Sequence, residues 1–569
     1  LLGGYNPIRE GATYSGSFIY GNRFLNNKLG MVLSASYQNK DYGSDNVEAV
    51  WKDEDGLIYV EEMDARKHDV QPVRRSFSGA FDYAFNQQNS ISFDAIYNWR
   101  DDRENRYRTR YRSIEPEYDD AGKAIGYTGD IRRETKAGID NNRNKNRRLE
   151  DQRTQSYGLK GQHLLTERFD LDWNVSYSRA SEDRPNERYM DFQQKGLDMS
   201  EDLSDTKLPF ISVSGENMDK MKPRVISENH DYTVEDEWAM KLNARIPFSV
   251  VGDEKGRLRF GVRARIKSKE RDNDYFEYEA TDANEIGNLS SLPTSFYDWK
   301  NNSIDKKYIP GTYVKNSYLG NLDLQNSAMF DKIDVPSEYL SANYNANERI
   351  LAGYIRWDQN ITRNLLMIVG VRAEHTYIDY TGNNIVSEEN EDGDVVYQYK
   401  KVSKDNSYLH LLPNLSFKYD ATDQLILRAA FTTALARPNY YSLVPYTYLA
   451  KSDEELAIGN PDLKATYSYN FDLMGEYYFK SVGVLSGGLF YKRLNNFIYT
   501  YIDPAYSHDK FARDFPDQPN QIPVGDDSWE FSHTRNGDKV DLFGFEIGLQ
   551  RKLDFLPTAF LKNFGLYVN

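Results

Sequence analysis

Residues 437–479 read RPNYYSLVPYTYLAKSDEELAIGNPDLKATYSYNFDLMGEYYF, and the second half of this stretch alternates between two kinds of side chain. Aromatic and apolar residues, with one glycine, take every second place from Tyr467 to Phe479, and mostly polar residues fill the places between, from Thr466 to Glu476. A period of two predicts a β-strand whose two faces meet different surroundings. At about 3.3 Å per residue this strand spans about 40 Å, roughly twice an ordinary strand. Such a strand is typical of a barrel that crosses a membrane.

The same alternation recurs along the chain in a fixed rhythm. Two alternating segments are joined by a short turn, such as Asn86–Asn89, and a long polar excursion then leads to the next pair; residues 268–349 form the longest one. This rhythm predicts about fifteen strands plus the start of one more, with Leu1–Glu10 as a loop before the first. Short turns on one side and long loops on the other are typical of outer-membrane barrels, whereas a soluble sandwich or propeller has no reason to separate them.

Composition narrows the class of protein further. The chain has 569 residues, a net charge of −16, 39% hydrophobic and 14% aromatic residues, and no cysteine. It contains no run of 18 apolar residues, so a transmembrane helix is not predicted. The absence of cysteine excludes disulfides and thiol chemistry and fits an export route. The negative charge argues against a nucleic-acid partner.

Three groups of residues resemble the motifs of TonB-dependent outer-membrane receptors. They are Arg437-Pro438 with Tyr440-Tyr441 and Leu443-Val444-Pro445; Gly459-Asn460-Pro461-Asp462-Leu463; and Asn536-Gly537 followed by Phe543-Gly544-Phe545-Glu546-Ile547-Gly548-Leu549-Gln550. Each group alone is a weak signal, but their order and spacing together are specific. The resemblance is closest to the large-loop type of Bacteroidetes and Proteobacteria, covers the whole chain as barrel, and is strongest from about residue 350. It implies that Arg437, Pro438, Gly459, Asn460, Pro461, Gly544 and Glu546 shape the barrel rather than contact solute.

The resemblance implies an all-β, transmembrane antiparallel barrel of 22 strands that closes around a plug domain. Residues 1–569 are then an incomplete barrel domain, with the plug and first strand expected before residue 1 and about five strands after residue 569. The expected location is the outer membrane of a Gram-negative bacterium, in contact with its lipids and lipopolysaccharide. The expected protein partner is the TonB–ExbB–ExbD complex, which would act through a TonB box in the plug. No cofactor is expected.

The function that the resemblance implies is active import of a scarce solute through the plugged barrel. Siderophore, cobalamin, glycan and peptide receptors share this architecture, so the sequence leaves the solute open. One alternative is a structural or secretion-associated barrel that works with a surface lipoprotein and does not transport. Another is a surface enzyme or adhesin.

Catalytic and metal-binding sites are not predicted. The chain contains no G-x-S-x-G, H-E-x-x-H or P-loop motif. His375 and His410 fall on adjacent predicted strands. The pattern favours two polar side chains of the barrel wall over a pair that binds a metal ion. The acidic tip Asn390–Asp394 carries oxygen ligands that suit calcium, but it lacks the downstream glutamate of an EF-hand loop, which favours a solvated hairpin tip.

Four arginines alternate at Arg106, Arg108, Arg110 and Arg112, within a basic run that extends from Arg103 to Arg153. Alternate residues of a strand project from one face, so the four guanidinium groups would form a wall that binds anions. The anion would be a lipopolysaccharide phosphate outside the barrel or an acidic ligand inside it. The alternative is a solvated loop paired with nearby acids such as Glu134.

Aromatic residues are concentrated in the excursion 268–349. Tyr297, Trp299, Tyr308 and Tyr313 are the candidates for binding a ligand by ring stacking. Packing of the loop against itself explains the same residues equally well.

Overall fold

The computed structural model describes residues 1–54, 56–297, 308–309, 311–389, 395–451 and 453–569. The β-strands are β1 (Leu2–Asn6), β2 (Gly11–Phe24), β3 (Leu29–Asn39), β4 (Tyr42–Glu54), β5 (Leu57–Ala84), β6 (Asn89–Tyr118), β7 (Ala124–Gly138), β8 (Arg148–Thr166), β9 (Phe169–Asp202), β10 (Phe210–Val213), β11 (Lys222–Pro247), β12 (Gly256–Ala280), β13 (Thr294–Tyr297), β14 (Gly311–Val314), β15 (Phe330–Asp334), β16 (Tyr344–Thr362), β17 (Leu365–Glu389), β18 (Val395–Asp420), β19 (Leu425–Ala436), β20 (Thr447–Ala450), β21 (Glu455–Ile458), β22 (Thr466–Tyr478), β23 (Gly483–Asn495), β24 (Ile498–Tyr506), β25 (Trp529–Asn536), β26 (Lys539–Lys552) and β27 (Gly565–Val568). The α-helices are α1 (Asn316–Asn321), α2 (Pro336–Tyr339), α3 (Tyr440–Leu443) and α4 (His508–Asp514), and short 3-10 helices lie at Asp282–Asn284, Leu289–Ser291, Leu340–Ala342, Leu553–Phe555 and Leu561–Asn563. In these described ranges, no helix is both long and apolar enough to cross a membrane.

One series of strands forms a continuous antiparallel wall in which each member pairs with the next. The members are β2, β3, β5, β6, β8, β9, β11, β12, β16, β17, β18, β19, β22, β23, β26 and the short β27. Fifteen long strands and the start of another match the predicted number, and the all-β barrel architecture is confirmed.

The connections separate as the rhythm of the sequence predicts. On one side, which we call the turn end, the connections between consecutive wall strands are short. They range from 2 residues, as at 363–364, to 12 residues at 553–564. On the other side, which we call the loop end, the connections carry further strands, such as β4, β7 and β10. The two kinds of connection therefore lie at opposite ends of the wall.

The two faces of the wall differ as predicted. Large apolar side chains are exposed at alternate positions, including Phe77, Leu351, Leu411 and Leu473; we call this the outer face. The opposite, inner face is mostly polar. Four aromatic residues of this face show whether it is a lipid-facing belt or a sealed protein core. Tyr14 is 51% and Phe471 is 49% exposed, and Phe81 and Trp173 are only partly buried. These rings form an apolar outer belt.

The first ten residues correct one prediction. Leu2–Asn6 is a strand, β1, which pairs antiparallel with Gly11–Ser15 of β2, whereas the sequence predicted a loop over Leu1–Glu10. Gly3 and Gly4 are poor strand formers, but the backbone pairing with β2 stabilises the extended conformation. Two acidic turns contain Gly56 and Gly122, whose φ angles of +87° and +73° require glycine.

Several strands continue far beyond the membrane at the loop end. β5, β6 and β9 have 28, 30 and 34 residues, whereas about ten cross a bilayer. β7 is inserted between β6 and β9 at the loop end, while β8 pairs with the turn-end halves of the same two strands. These extensions carry a core that includes Met63, Ile131, Phe192 and Leu319.

A second core forms around the small sheet of β20, β21, β24 and β25. Helix α4 packs there through Phe511, beside Tyr506, Trp529 and Phe531. The loop end is therefore a folded structure in its own right, with buried side chains of its own.

Candidate functional site

The pairing of β5 with β6 fixes the face on which the four arginines lie. This pairing runs from Met63–Tyr111 to Ala84–Ser90 without a register shift. Phe93 belongs to the outer belt, and the outer face therefore continues through Tyr107 and Tyr111. Arg106, Arg108, Arg110 and Arg112 alternate with these tyrosines, so they follow the inner face beyond the membrane.

Two carboxylates form ion pairs with three of the four arginines. The Arg106 guanidinium donates to Glu134 at 2.7 Å, and Arg108 pairs with both Glu134 and Asp64. Arg110 donates to both oxygens of Asp64, at 2.8 and 3.0 Å. Charge-assisted, multidentate pairs of this kind are the strong ones. Most of the predicted basic wall is therefore a network of ion-paired arginine and carboxylate side chains, which we call the charged lattice.

The environment of these carboxylates keeps them ionised. Burial alone would raise the pKa of Glu134, but Arg108 and Arg106 lower it below its ordinary value. Burial acts on Asp64 in the same way, and Arg110, Arg108 and Arg66 lower its pKa. Asp64 is only 2% exposed, so its charge depends on these partners.

Two arginines of the same face have no ion pair among the residues that the structure describes. Arg112 stands opposite Asp130, and Arg132 stands directly opposite Arg110 in the β6–β7 register. Burial and the charges of Arg224 and Arg112 lower the pKa of Arg132 to about 10. The sequence analysis did not select Arg132 as a site residue, because only the β6–β7 register brings it beside Arg110.

The aromatic candidates lie on the other face of the same sheet. The Tyr297 and Tyr107 rings stack with their centroids 4.1 Å apart. The Tyr313 hydroxyl lies 2.7 Å from Thr109 Oγ1, and the Tyr308 hydroxyl donates to the Pro209 carbonyl at 2.6 Å. Trp299 lies outside the described residues. Contact between these tyrosines and a solute remains a prediction, while their contacts here are with the protein.

The motif residues around Arg437 lie against the inner face of the wall. Arg437 donates to Thr376 Oγ1 at 2.9 Å and pairs with Glu374. Just beyond Pro438, Leu443 and Val444 pack on Tyr344, Ala346, Ile378 and Tyr380, whose even positions on β16 and β17 face inward. The segment 437–446 therefore covers the inner surface of β16 and β17 at the loop end.

The other motif residues make close backbone contacts. A Cβ on Gly459 would clash with the Val444 carbonyl oxygen, and one on Gly544 would clash with the Phe490 ring. Asn460 donates to the Thr534 carbonyl at 2.9 Å. The Pro461 carbonyl accepts from the Tyr380 hydroxyl at 2.8 Å, and Glu546 stands opposite Gly488. Larger residues would not fit at the two glycines.

The two histidines that were weighed as a metal pair lie on opposite faces. His375 pairs in register with Leu409, and His410 pairs with Glu374, one position along. His375 Nε2 lies 3.0 Å from Ser407 Oγ, and the His410 ring stacks on Tyr467. Within the described ranges, His, Asp and Glu side chains form no group of three that could hold a metal ion. The acidic tip Asn390–Asp394 lies outside these ranges.

The apolar outer belt, the polar inner face and the separation of turns from loops define an outer-membrane β-barrel, and this chain is one. Residues 312–554 match the outer membrane protein beta-barrel family. The protein is located in the outer membrane, and its loop end faces outward from the cell. No curated protein sequence matches the chain significantly.

The chain is similar in fold to several solved receptors and transporters. One is the ferric-catecholate import receptor Fiu of E. coli K12, with 10% identity, a TM-score of 0.45, and coverage of 95% of this chain and 62% of Fiu. Another is the ferripyoverdine receptor of the outer membrane of Pseudomonas aeruginosa, with 12% identity, a TM-score of 0.48, and coverage of 95% and 52%. A third is the outer membrane transporter YddB of E. coli, with 10% identity, a TM-score of 0.44, and the same coverage. The chain thus spans between about half and three fifths of the length of these proteins.

Proposed function

We propose that this chain is the barrel portion of a TonB-dependent transporter, which imports a scarce solute across the outer membrane. The observation that carries the proposal is the continuity of the inner face. In β5 and β6 the same register leads from the membrane-crossing part to the charged lattice at the loop end, without a bulge. A solute that enters from outside therefore meets polar and charged groups all the way to the lumen.

In this proposal, the fifteen long strands are part of a larger barrel of 22 strands. Barrels of 16–18 strands leave an aqueous channel, and 22-stranded transporters hold a plug in the lumen. A plug domain outside residues 1–569, with a TonB box, would close this lumen and connect the barrel to the TonB–ExbB–ExbD complex. The motifs at 437–445, 459–463 and 536–550, which resemble those of TonB-dependent receptors, support the same assignment.

The test is uptake by cells of the source organism with and without the gene for this protein, and with and without TonB. Labelled siderophores, cobalamin, glycans and peptides are the solutes to screen. We expect one class to accumulate only when both proteins are present and the inner-membrane proton gradient is intact. Uptake that is unchanged by loss of TonB contradicts the proposal. If a surface lipoprotein then copurifies with the barrel, the secretion-associated alternative replaces it.

A further inference from the structure

The β6–β7 pairing sets two arginines directly opposite each other. Arg110 faces Arg132, and Arg112 is the diagonal neighbour of Arg132 on the same face. Like charges in directly opposed positions destabilise a β-ladder. The like charges of Arg224, Arg112 and Arg110 each act on the Arg132 guanidinium, and Asp191 is the opposite charge that acts on it. Because the like charges outnumber this carboxylate, an additional anion among the guanidinium groups would be favourable.

The carboxylates nearest to Arg132 and Arg112 pair with other arginines of the cluster or with neighbouring donors. Asp64 binds Arg108 and Arg110, and Asp191 accepts from Arg224 Nε at 2.7 Å. Asp130, opposite Arg112, accepts from Gln193 at 2.7 Å and from the Gly196 backbone at 3.1 Å.

Arg132 and Arg112 are thus left without an ion pair within the part of the chain that the structure describes. The Arg132 Nε atom is buried and has no hydrogen-bond partner among the described residues. The Nε atoms of the paired residues Arg106 and Arg108 are also buried without a partner among the described residues, so it is the missing ion pair that distinguishes Arg132.

A row of donors connects Arg132 to an open cleft. Across the strands, Arg110, Arg132, Gln193 and Lys222 stand at directly paired positions. Gln193 and Lys222 also line a cleft of about 820 Å³, together with Lys195, Lys220 and Arg224. Among the described residues that line the cleft, Asp198 is the only acidic one. This volume is sufficient for a small organic anion.

We propose that Arg132 and Arg112 bind a carboxylate or phosphate group of the imported solute at the mouth of the barrel. Planar guanidinium groups bind these anions in bidentate fashion. The site is on the inner face, away from the lipid-facing side of the wall, which favours a soluble anion over a lipopolysaccharide phosphate. This inference rests on the proposed function for the identity of its ligand, but its test is independent of transport.

The test is hydrogen exchange of the full chain, purified in detergent, with citrate and inorganic phosphate as probes and with chloride at equal ionic strength as the reference. Exchange over residues 124–138 is expected to slow about tenfold when a probe is present at ten times its Kd. Arg132→Gln and Arg112→Gln should each remove this effect. Without any probe, Arg132→Gln should slow exchange there, because it removes the repulsion from Arg110, Arg112 and Arg224.

The matched control is Arg23→Gln, which removes a paired arginine beside the turn end that contacts Asp82 at 2.7 Å. It should leave the citrate effect unchanged. Faster exchange in Arg132→Gln without a probe would show that Arg132 only stabilises the fold, and it would overturn the proposal. So would protection by lipopolysaccharide but not by citrate or phosphate. Protection by citrate in a protein whose uptake is independent of TonB would leave the site standing and reject only the transport function.

Discussion

Arg437 reaches Thr376 across the inner face of the wall, with its Nη2 atom 2.9 Å from the threonine Oγ1. Arg437 follows directly on the end of β19, and Thr376 belongs to β17, two strands away in the wall. The guanidinium also pairs with Glu374, whose carboxylate is mostly buried. This contact ties the segment 437–446 to the wall and places α3 over its inner face.

Arg437→Ala should release this segment. The substitution leaves the Glu374 carboxylate with Arg372 as its remaining partner, at 2.7 Å, and the loss of a hydrogen bond to a charged group costs about 1.5–3 kcal/mol. Hydrogen exchange over residues 437–446 should therefore become about ten- to a hundredfold faster, while exchange in β22 and β23 stays unchanged. Arg437→Lys keeps the charge but loses the planar fork, so an intermediate rate is expected. Equal rates in the wild type and Arg437→Ala would contradict the anchoring role.

Alternation in the sequence was sufficient to predict the wall. A period of two is a local property of the sequence. It was sufficient to predict the strands, the outer belt through Phe471 and turns such as 85–88. The acidic glycine turns were predictable for the same reason, since Gly56 and Gly122 take backbone angles that other residues avoid.

The partners of the charged residues could not be predicted in this way. Asp64 and Glu134 are 44 and 26 residues from Arg108 in the chain. The pairing of β6 with β5 on one side and with β7 on the other brings the three residues together. β9 also contains a bulge, with Asn186 at a φ of +52°, between the pairs Asn229–Glu187 and Asp231–Arg184. The extra residue reverses which positions face inward beyond it, and the hydrophobic pattern does not reveal it.

Leu473→Arg tests the outer face directly. Leu473 is 58% exposed near the middle of the membrane-crossing part of β22, where an arginine on the lipid side costs about 2–4 kcal/mol. The matched control is Asp472→Arg, the preceding residue on the same strand, which lies on the inner face opposite Ala430 and should cost much less. Equilibrium folding of both variants into lipid vesicles in denaturant measures the difference. Equal losses of stability would contradict the assignment of the two faces.

Glu104 should make the loop end sensitive to acid. Burial alone would raise its pKa, but a hydrogen bond with His68 and the charge of Arg148 lower it from 4.5 to about 2. A lowered folded-state pKa stabilises the protein above pH 4.5, and this contribution is lost as the pH falls towards 2. Exchange over residues 98–106, corrected for the intrinsic pH dependence, should accelerate in that window. Glu104→Gln should abolish the pH dependence of this region, and its persistence in the variant would assign it to another group.

Glu201 should act in the opposite direction and in a different pH window. Its carboxylate accepts from the Val60 amide at 3.2 Å, and burial raises its pKa from 4.5 to about 7. A raised folded-state pKa gives stability that is present below pH 4.5 and is lost as the pH rises through 7. The β9–β10 hairpin should therefore exchange faster at pH 8 than at pH 5, after the same correction. In Glu201→Gln the two rates should be equal, and a variant that still responds to pH would exclude Glu201 as the cause.

Arg188 holds the long excursion against the outer face of the loop-end sheet. One guanidinium nitrogen donates to the carbonyls of Leu319, Gly320 and Leu322, at 2.8–3.2 Å, and Nε donates to Glu228 at 2.6 Å. Arg188→Met leaves the buried Glu228 carboxylate without its ion pair, which costs about 3–5 kcal/mol locally. It also removes a donor from three carbonyl groups, of which Leu319 and Gly320 keep backbone partners. Limited proteolysis should then cut within residues 316–330, and the membrane-crossing wall should remain folded.

The control for Arg188 is Arg513→Met, which removes an arginine with a largely solvent-exposed side chain on α4. It should change neither the cleavage rate nor the sites, because an exposed ion pair contributes little to stability. Arg188→Lys separates charge from geometry: a single ammonium can pair with Glu228 but cannot replace the fork that binds the carbonyls. Cleavage of Arg188→Lys at the wild-type rate would mean that the Glu228 pair alone secures the excursion, and that the carbonyl contacts add nothing measurable.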